Sequence, residues 1–128
     1  MAYTAIDDPE AYFQTVIYTG DGADMQPDLV WIKNQDADDS HCWFDSVRGA
    51  TKVMHTDGTG AEATDADTLD SFTSDGFQVD ADVKVNTNTE KYVAWCWKAG
   101  TTSGLSGGNL TPAAYSINAT SGFGIYKW

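Results

Sequence analysis

The sequence predicts an all-β fold, an antiparallel β-sandwich or jelly roll with a detached C-terminal strand. Three observations carry that expectation. No long stretch keeps an apolar period of about 3.6 residues, so no amphipathic helix is encoded. Short runs rich in aromatic and β-branched residues recur along the chain, each bounded by Gly, Asp, Asn or Ser. The stretch Glu90–Lys98, Glu-Lys-Tyr-Val-Ala-Trp-Cys-Trp-Lys, alternates with a period of two and is apolar enough on both sides for the middle of a sheet.

In that stretch Tyr92, Ala94, Cys96 and Lys98 share one face, and Lys91, Val93, Trp95 and Trp97 share the other. The second set carries the larger apolar side chains, so it is the expected core face, with Trp95 and Trp97 buried.

From the start, residues 1–11 read as a polar N-terminal arm interrupted by Pro9. Tyr12–Thr19 is the first strand, ended by a Gly20-Asp21-Gly22 turn. Asp28–Asn34 is the second, with Leu29, Trp31 and Lys33 on one face and Val30 and Ile32 on the other. The polar turn Gln35–Ser40 joins it to His41–Val47 as a hairpin, and Thr51–His55 is a short fourth strand. Thr56–Thr68 is almost wholly Asp, Gly, Thr, Ala and Glu, the longest loop, with a single helical turn expected near Ala61–Ala66. Leu69–Phe72 and Gly76–Val79 flank a Ser74-Asp75-Gly76 turn, and Val83–Val85 adds a short strand. These elements make residues 12–98 one β-sandwich domain. Residues 99–112 have the Gly/Ser/Thr composition of a flexible linker, and 113–128 form a C-terminal strand segment able to act as a strand donor.

Nineteen acidic against seven basic residues give a net charge of -12, which excludes nucleic acid and anionic membrane surfaces as expected partners. No apolar run approaches the roughly 18–20 residues that cross a bilayer, so no membrane insertion is expected. The N-terminus lacks the basic start and apolar middle of a secretory signal, so the chain is expected to be made in the cytoplasm. Cys42 and Cys96 sit in aromatic strand sequences and read as buried free thiols rather than a bridge.

No Gly-x-Ser-x-Gly elbow, Cys/His metal spacing or identifiable carboxylate pair is present, so the chain is not expected to be an enzyme. Calcium is the one cofactor left open, with Asp65, Asp67 and Asp70 as the candidate ligands, although no EF-hand register is present. For a sugar ligand the candidates are Trp43, beside a turn, with Asp36, Asp38 and Asp39. Aromatic faces stack on sugar rings, and acidic turns bind hydroxyl groups.

The end of the chain echoes its first strand. Phe13-Gln-Thr-Val-Ile-Tyr18 aligns with Phe123-Gly-Ile-Tyr-Lys-Trp128, with aromatics at the first and sixth positions of each. A linker followed by a copy of the first strand suggests strand addition between subunits, giving a filament or closed ring. The expected interface is Gly122, Phe123, Ile125, Tyr126 and Trp128 against Phe13, Val16 and Tyr18.

Four blocks in order, Asp7–Gly22, Pro27–Asn34, Phe44–Lys52 and Asn86–Gly100, resemble a lectin-like β-sandwich family of structural proteins of marine tailed phages. In that family the modules recur in tandem, and a repeat opens with Gly-Phe-x-Ile-x-x-(Tyr/Trp), which Gly122–Trp128 matches. The resemblance implies a virion or extracellular assembly, as a tail-fibre, appendage or surface protein with other virion structural proteins as partners. It carries over no catalytic or ligand residue. The expected function is a structural, self-assembling building block, a homo-oligomer or filament. The alternative is a carbohydrate-binding module that recognises a host-surface glycan.

Overall fold

The computed structural model describes residues 8–18 and 25–128. The first seven residues of the expected arm and the Gly20-Asp21-Gly22 turn lie outside them. The arm ends in a single 3-10 turn, Pro9–Ala11, where the Asp8 carboxylate accepts the Glu10 N–H at 3.1 Å. Among the described residues ten strands follow: β1 Phe13–Tyr18, β2 Leu29–Asn34, β3 Cys42–Asp45, β4 Lys52–His55, β5 Ala63–Thr64, β6 Leu69–Thr73, β7 Gly76–Val79, β8 Tyr92–Trp97, β9 Ala114–Asn118 and β10 Phe123–Lys127.

The fold is all-β and antiparallel, as the patterning requires. Its main layer is a six-stranded sheet in the order β1-β8-β2-β3-β4-β5, with β6–β7 and β9–β10 as separate two-stranded sheets. β8 threads between β1 and β2 and pairs along its whole length with both. A strand apolar on both faces belongs there, because a central strand has no edge in water. β2 and β3 form the expected hairpin, with Trp31 opposite Trp43. This order is a meander with one late strand inserted, rather than the interleaved Greek keys of a jelly roll.

One face of the main sheet carries the core. Tyr18, Val30, Ile32, Cys42, Phe44, Val53, Tyr92, Ala94 and Cys96 are buried there, with Leu69 and Phe77 of the β6–β7 hairpin, Met25 and Val85 completing the cluster. Tyr18 and Tyr92 stack at 5.5 Å, and Phe77 meets the Tyr18 ring edge-on at 5.7 Å. Both hydroxyls are satisfied inside, Tyr18 donating to the Val85 carbonyl at 2.9 Å and Tyr92 to the Val83 carbonyl at 2.8 Å.

Here the expectation for β8 is corrected. Tyr92, Ala94 and Cys96 face the core at 1%, 0% and 0% exposure, whereas Val93, Trp95 and Trp97 lie half-buried on the opposite face. Both faces of β8 are apolar, so alternation alone does not say which one is inside. The flanking strands decide it. Val30, Ile32 and Phe44 share the Cys96 side, and Trp31 and Trp43 share the Trp95 side. The Cys96 side packs with Leu69 and Phe77 of the β6–β7 hairpin into one core, and the four indoles stand on the other side.

Three smaller expectations also change. The helical turn near 61–66 is absent; Ala63 and Thr64 pair with Val53 and Lys52 instead. Val83–Val85 is a turn, closed by Val85 N–H to Asp82 C=O at 3.0 Å, with the Asp82 carboxylate accepting from Lys84 N–H at 2.8 Å and from Nζ at 2.6 Å. The C-terminal strand is not detached: β10 pairs antiparallel with β9 from Phe123↔Asn118 to Lys127↔Ala114. Gly122 makes the hairpin turn at φ 72°, a conformation that costs other residues strain.

Candidate functional site

The register builds a row of aromatic side chains across the outer face of the main sheet. Trp95 stands opposite Trp31, Trp31 opposite Trp43, and Trp43 opposite Met54. Ring centroids are 5.0 Å apart for Trp31–Trp95 and 5.9 Å for Trp31–Trp43, both tilted, and 6.5 Å for Trp43–Trp97, which is stacked. His41 extends the row from Trp31 at 6.1 Å. Each ring shields its neighbour, and the indoles are half-buried. Trp31 donates its indole N–H to Thr56 Oγ1 at 3.1 Å. Among the described residues, those of Trp43, Trp95 and Trp97 have no internal acceptor.

Trp97 joins this row to both ends of the chain. Phe13 at the start of β1 lies 5.0 Å from it, and Phe123 at the start of β10 stacks on it at 6.2 Å. The two phenylalanines of the terminal echo therefore touch the same indole. The charge pattern of this face also differs from that of the whole chain. Lys33 and Lys52 occupy outer-face positions, and Asp45 is held by Arg48 at 2.5 Å, which reaches Glu62 at 3.3 Å.

Among the strand edges left unpaired by the described residues are those of β1 and β10. β1 ends the six-stranded sheet, and β10 has β9 on one side only. The Lys98 N–H bonds the Tyr12 carbonyl at 2.8 Å, which sets the ladder: alternate residues from Tyr12 bond to β8. The backbone groups of Phe13, Thr15 and Ile17 consequently point to the free edge. Large apolar side chains accompany these edges, with Ile17 69% and Trp128 74% exposed. Tyr126 stacks on Trp128 at 6.1 Å and lies over Gly124, where a Cβ would sit 2.8 Å from its ring.

The hairpin is fastened to the body by Asp28, a buried carboxylate at the start of β2. It accepts from Ala99 N–H at 2.8 Å, Ser46 Oγ at 2.8 Å and Ser116 Oγ at 3.3 Å. Ser116 Oγ in turn accepts the Gly100 N–H at 2.8 Å, and Thr101 bridges Ile117. The stretch read as a linker is thus pinned at its first residues, and the Leu105 N–H also donates to the Tyr115 hydroxyl at 2.9 Å.

The expected assembly residues fall into two groups. Phe13 and Tyr126 are exposed and Trp128 more so, while Phe123 and Ile125 are half-buried on the body-facing side of β10. On β1, Val16 packs against the core and Tyr18 is buried within it, so neither presents a side chain to a partner. In the acidic turn 35–40, Asp36 and Asp39 make hydrogen bonds within the fold. Asp36 accepts the Lys91 N–H at 2.7 Å and Asp39 accepts Asn34 Nδ2 at 2.7 Å, while Asp38 is exposed. Asp65 accepts the Asp67 N–H at 3.1 Å and lies 3.8 Å from Lys84 Nζ, and Asp70 is exposed. Among the described residues no three His, Cys, Asp or Glu side chains group as metal ligands would.

Cys42 Sγ lies 3.9 Å from His55 Nδ1, a nucleophile beside a base. Burial opposes its use, pushing the Cys42 thiol up to about 12 despite the favourable field of Lys84. Cys96 is pushed up to about 12 by burial alone. Trp95 and Trp97 as outward residues, and Asp28 as a fastening point, were not expected from sequence. The shared parity of Trp31, Trp43 and Trp95 becomes visible only once the strands are in register.

Residues 8–128 match the family described as Domain of unknown function (DUF7483), and the chain belongs to that family. No curated protein and no solved structure matches it.

Proposed function

We propose that this member of the DUF7483 family is a structural, non-enzymatic building block that acts by self-association, as a subunit of a virion-type appendage, fibre or surface layer. The observation that supports this reading is where the chain leaves apolar surface in water. In a chain of net charge -12, Phe13 and Ile17 on β1, Tyr126 on β10 and Trp128 just after it remain exposed beside unpaired strand edges and a half-buried aromatic row. Exposed hydrophobes also stand elsewhere, as at Val83 and Leu110, but those beside unpaired strand edges join apolar surface to free backbone groups, as a contact surface does. The two thiols are held protonated, which is the reverse of what nucleophilic catalysis needs.

Light scattering of the purified chain from micromolar to millimolar concentration tests the reading. The expected result is a mass that rises with concentration. A constant monomer mass across that range contradicts it.

A second reading, carbohydrate binding, is favoured by the indole N–H groups of Trp43, Trp95 and Trp97, which lie beside open ring surface without internal acceptors. Ring faces stack on sugar C–H groups while N–H donors meet hydroxyls. A glycan array separates the two readings. Specific retention of a glycan, lost in Trp43→Ala, supports the second, and an array without signal counts against it.

A further inference from the structure

Among the described residues the outer edges of β1 and β10 are unpaired, and they are chemically matched surfaces on one molecule. We propose that β10 of one copy adds, antiparallel, to β1 of a second copy, extending the six-stranded sheet from molecule to molecule. This rests on the self-association reading above, and it names the partner as a second copy and the site as the β1 edge.

Sheet edges are normally blunted by charge, proline, a bulge or shortness. The far edge of the main sheet follows that rule, since β5 has two residues. β1 does not. It is six residues long, Phe-Gln-Thr-Val-Ile-Tyr, with no charge, no proline and a regular register against β8 from Phe13↔Trp97 to Tyr18↔Tyr92. The backbone N–H and C=O groups of Phe13, Thr15 and Ile17 face outward, so a further strand has a complete ladder to join.

β10 is the complementary partner for three reasons. Its outer edge is unpaired among the described residues, and its length of five residues fits β1. Its sequence echoes β1, and both strands place their first phenylalanine on Trp97, so β10 already has the shape of a strand at this position. Antiparallel pairing also brings exposed Lys127 beside exposed Asp8 and Glu10, which precede β1. The same arrangement sets β10 against β1 rather than β1 against itself, because two β1 strands bring no cation to those carboxylates. Since β10 stays hydrogen bonded to β9, the junction is an addition of folded units, and no strand leaves its own molecule. Each copy keeps one unused β1 and one unused β10, so the contact is head-to-tail and grows into a ring or a filament.

The test uses the full chain and two kinds of edge variant. Thr15→Pro removes an outward N–H without touching the ladder to β8. Ile17→Lys places a charge on the edge at a side chain already in solvent. Tyr126→Lys does the same on β10. Light scattering of the wild type should give masses beyond a dimer, weakened by salt. Each β1 variant should raise the concentration needed for association about tenfold or more while keeping the wild-type circular dichroism and melting profile. Mixing Ile17→Lys with Tyr126→Lys should yield a dimer that grows no further, since one junction remains. A wild type that stops at a dimer overturns the head-to-tail arrangement. Oligomers unaffected by both β1 variants overturn the edge site while leaving self-association standing. A wild type that stays monomeric overturns both.

Discussion

Asp28 shows how one side chain fixes the position of a whole hairpin. Three donors converge on its buried carboxylate, from Ala99, Ser46 and Ser116. Removing it leaves those donors without an acceptor inside the protein. Asp28→Ala is expected to cost about 3 kcal/mol, the scale of losing charge-assisted bonds to a buried group, with Asp28→Asn milder. Denaturant titration measures the loss, and amide exchange in β9 should quicken with it. The thiols give a pH signature. Each loses its proton near 9.0 when unfolded and is held up to about 12 in the fold, so in between the unfolded chain binds fewer protons. Stability should therefore be full below pH 9 and fall as pH rises toward 12, with buried Tyr18, also shifted upward, adding to the fall. Unfolding titrations at neutral pH and at pH about 11 check the sign. In Cys42→Ala/Cys96→Ala the drop should shrink. A thiol reagent should leave both cysteines unmodified in the native protein and react with both in denaturant. Their burial was legible from the neighbouring aromatics; Asp28 was not, because its partners lie up to 88 positions away.

At the scale of elements, β8 explains both what the sequence revealed and what it withheld. Its central place followed from a run apolar on both faces. Which face was inside did not, since indole volume argued for Trp95 and Trp97 while the parity of Val30, Ile32 and Phe44 on the flanking strands puts Tyr92, Ala94 and Cys96 inside. Most other strands were readable from their turn chemistry. The two-residue β5 and the Val83–Val85 turn were not, because one depends on a partner strand and the other on the Asp82–Lys84 contact. The C-terminal segment looked like a linker with a loose strand because Gly, Ser and Thr dominate residues 99–108. Long-range bonds at Ala99, Gly100, Thr101 and Leu105 order it instead. On β10, Gly124 carries the ring of Tyr126 as an aromatic cover over a bare backbone. Gly124→Ala should displace that ring, with a reduced near-ultraviolet circular dichroism signal and a stability change of about 1 kcal/mol or less, because the obstructed ring can swing toward solvent.

At the scale of the molecule, one face of the main sheet is sealed and the other presents an aromatic row flanked by open edges. The terminal echo was visible as six positions of sequence; its meaning emerges from Trp97, which receives both Phe13 and Phe123. Within the acidic clusters, Asp39 meets Asn34, Asp36 meets the Lys91 N–H and Asp65 lies near Lys84. Self-association at the β1 edge is therefore the central claim. Residue-resolved amide exchange at rising protein concentration tests it most directly. The amides of Phe13, Thr15 and Ile17, which face away from β8, should exchange quickly in dilute solution and become protected as concentration rises, while those of β8 stay unchanged. Exchange of these three amides at the same rapid rate at every concentration would contradict it.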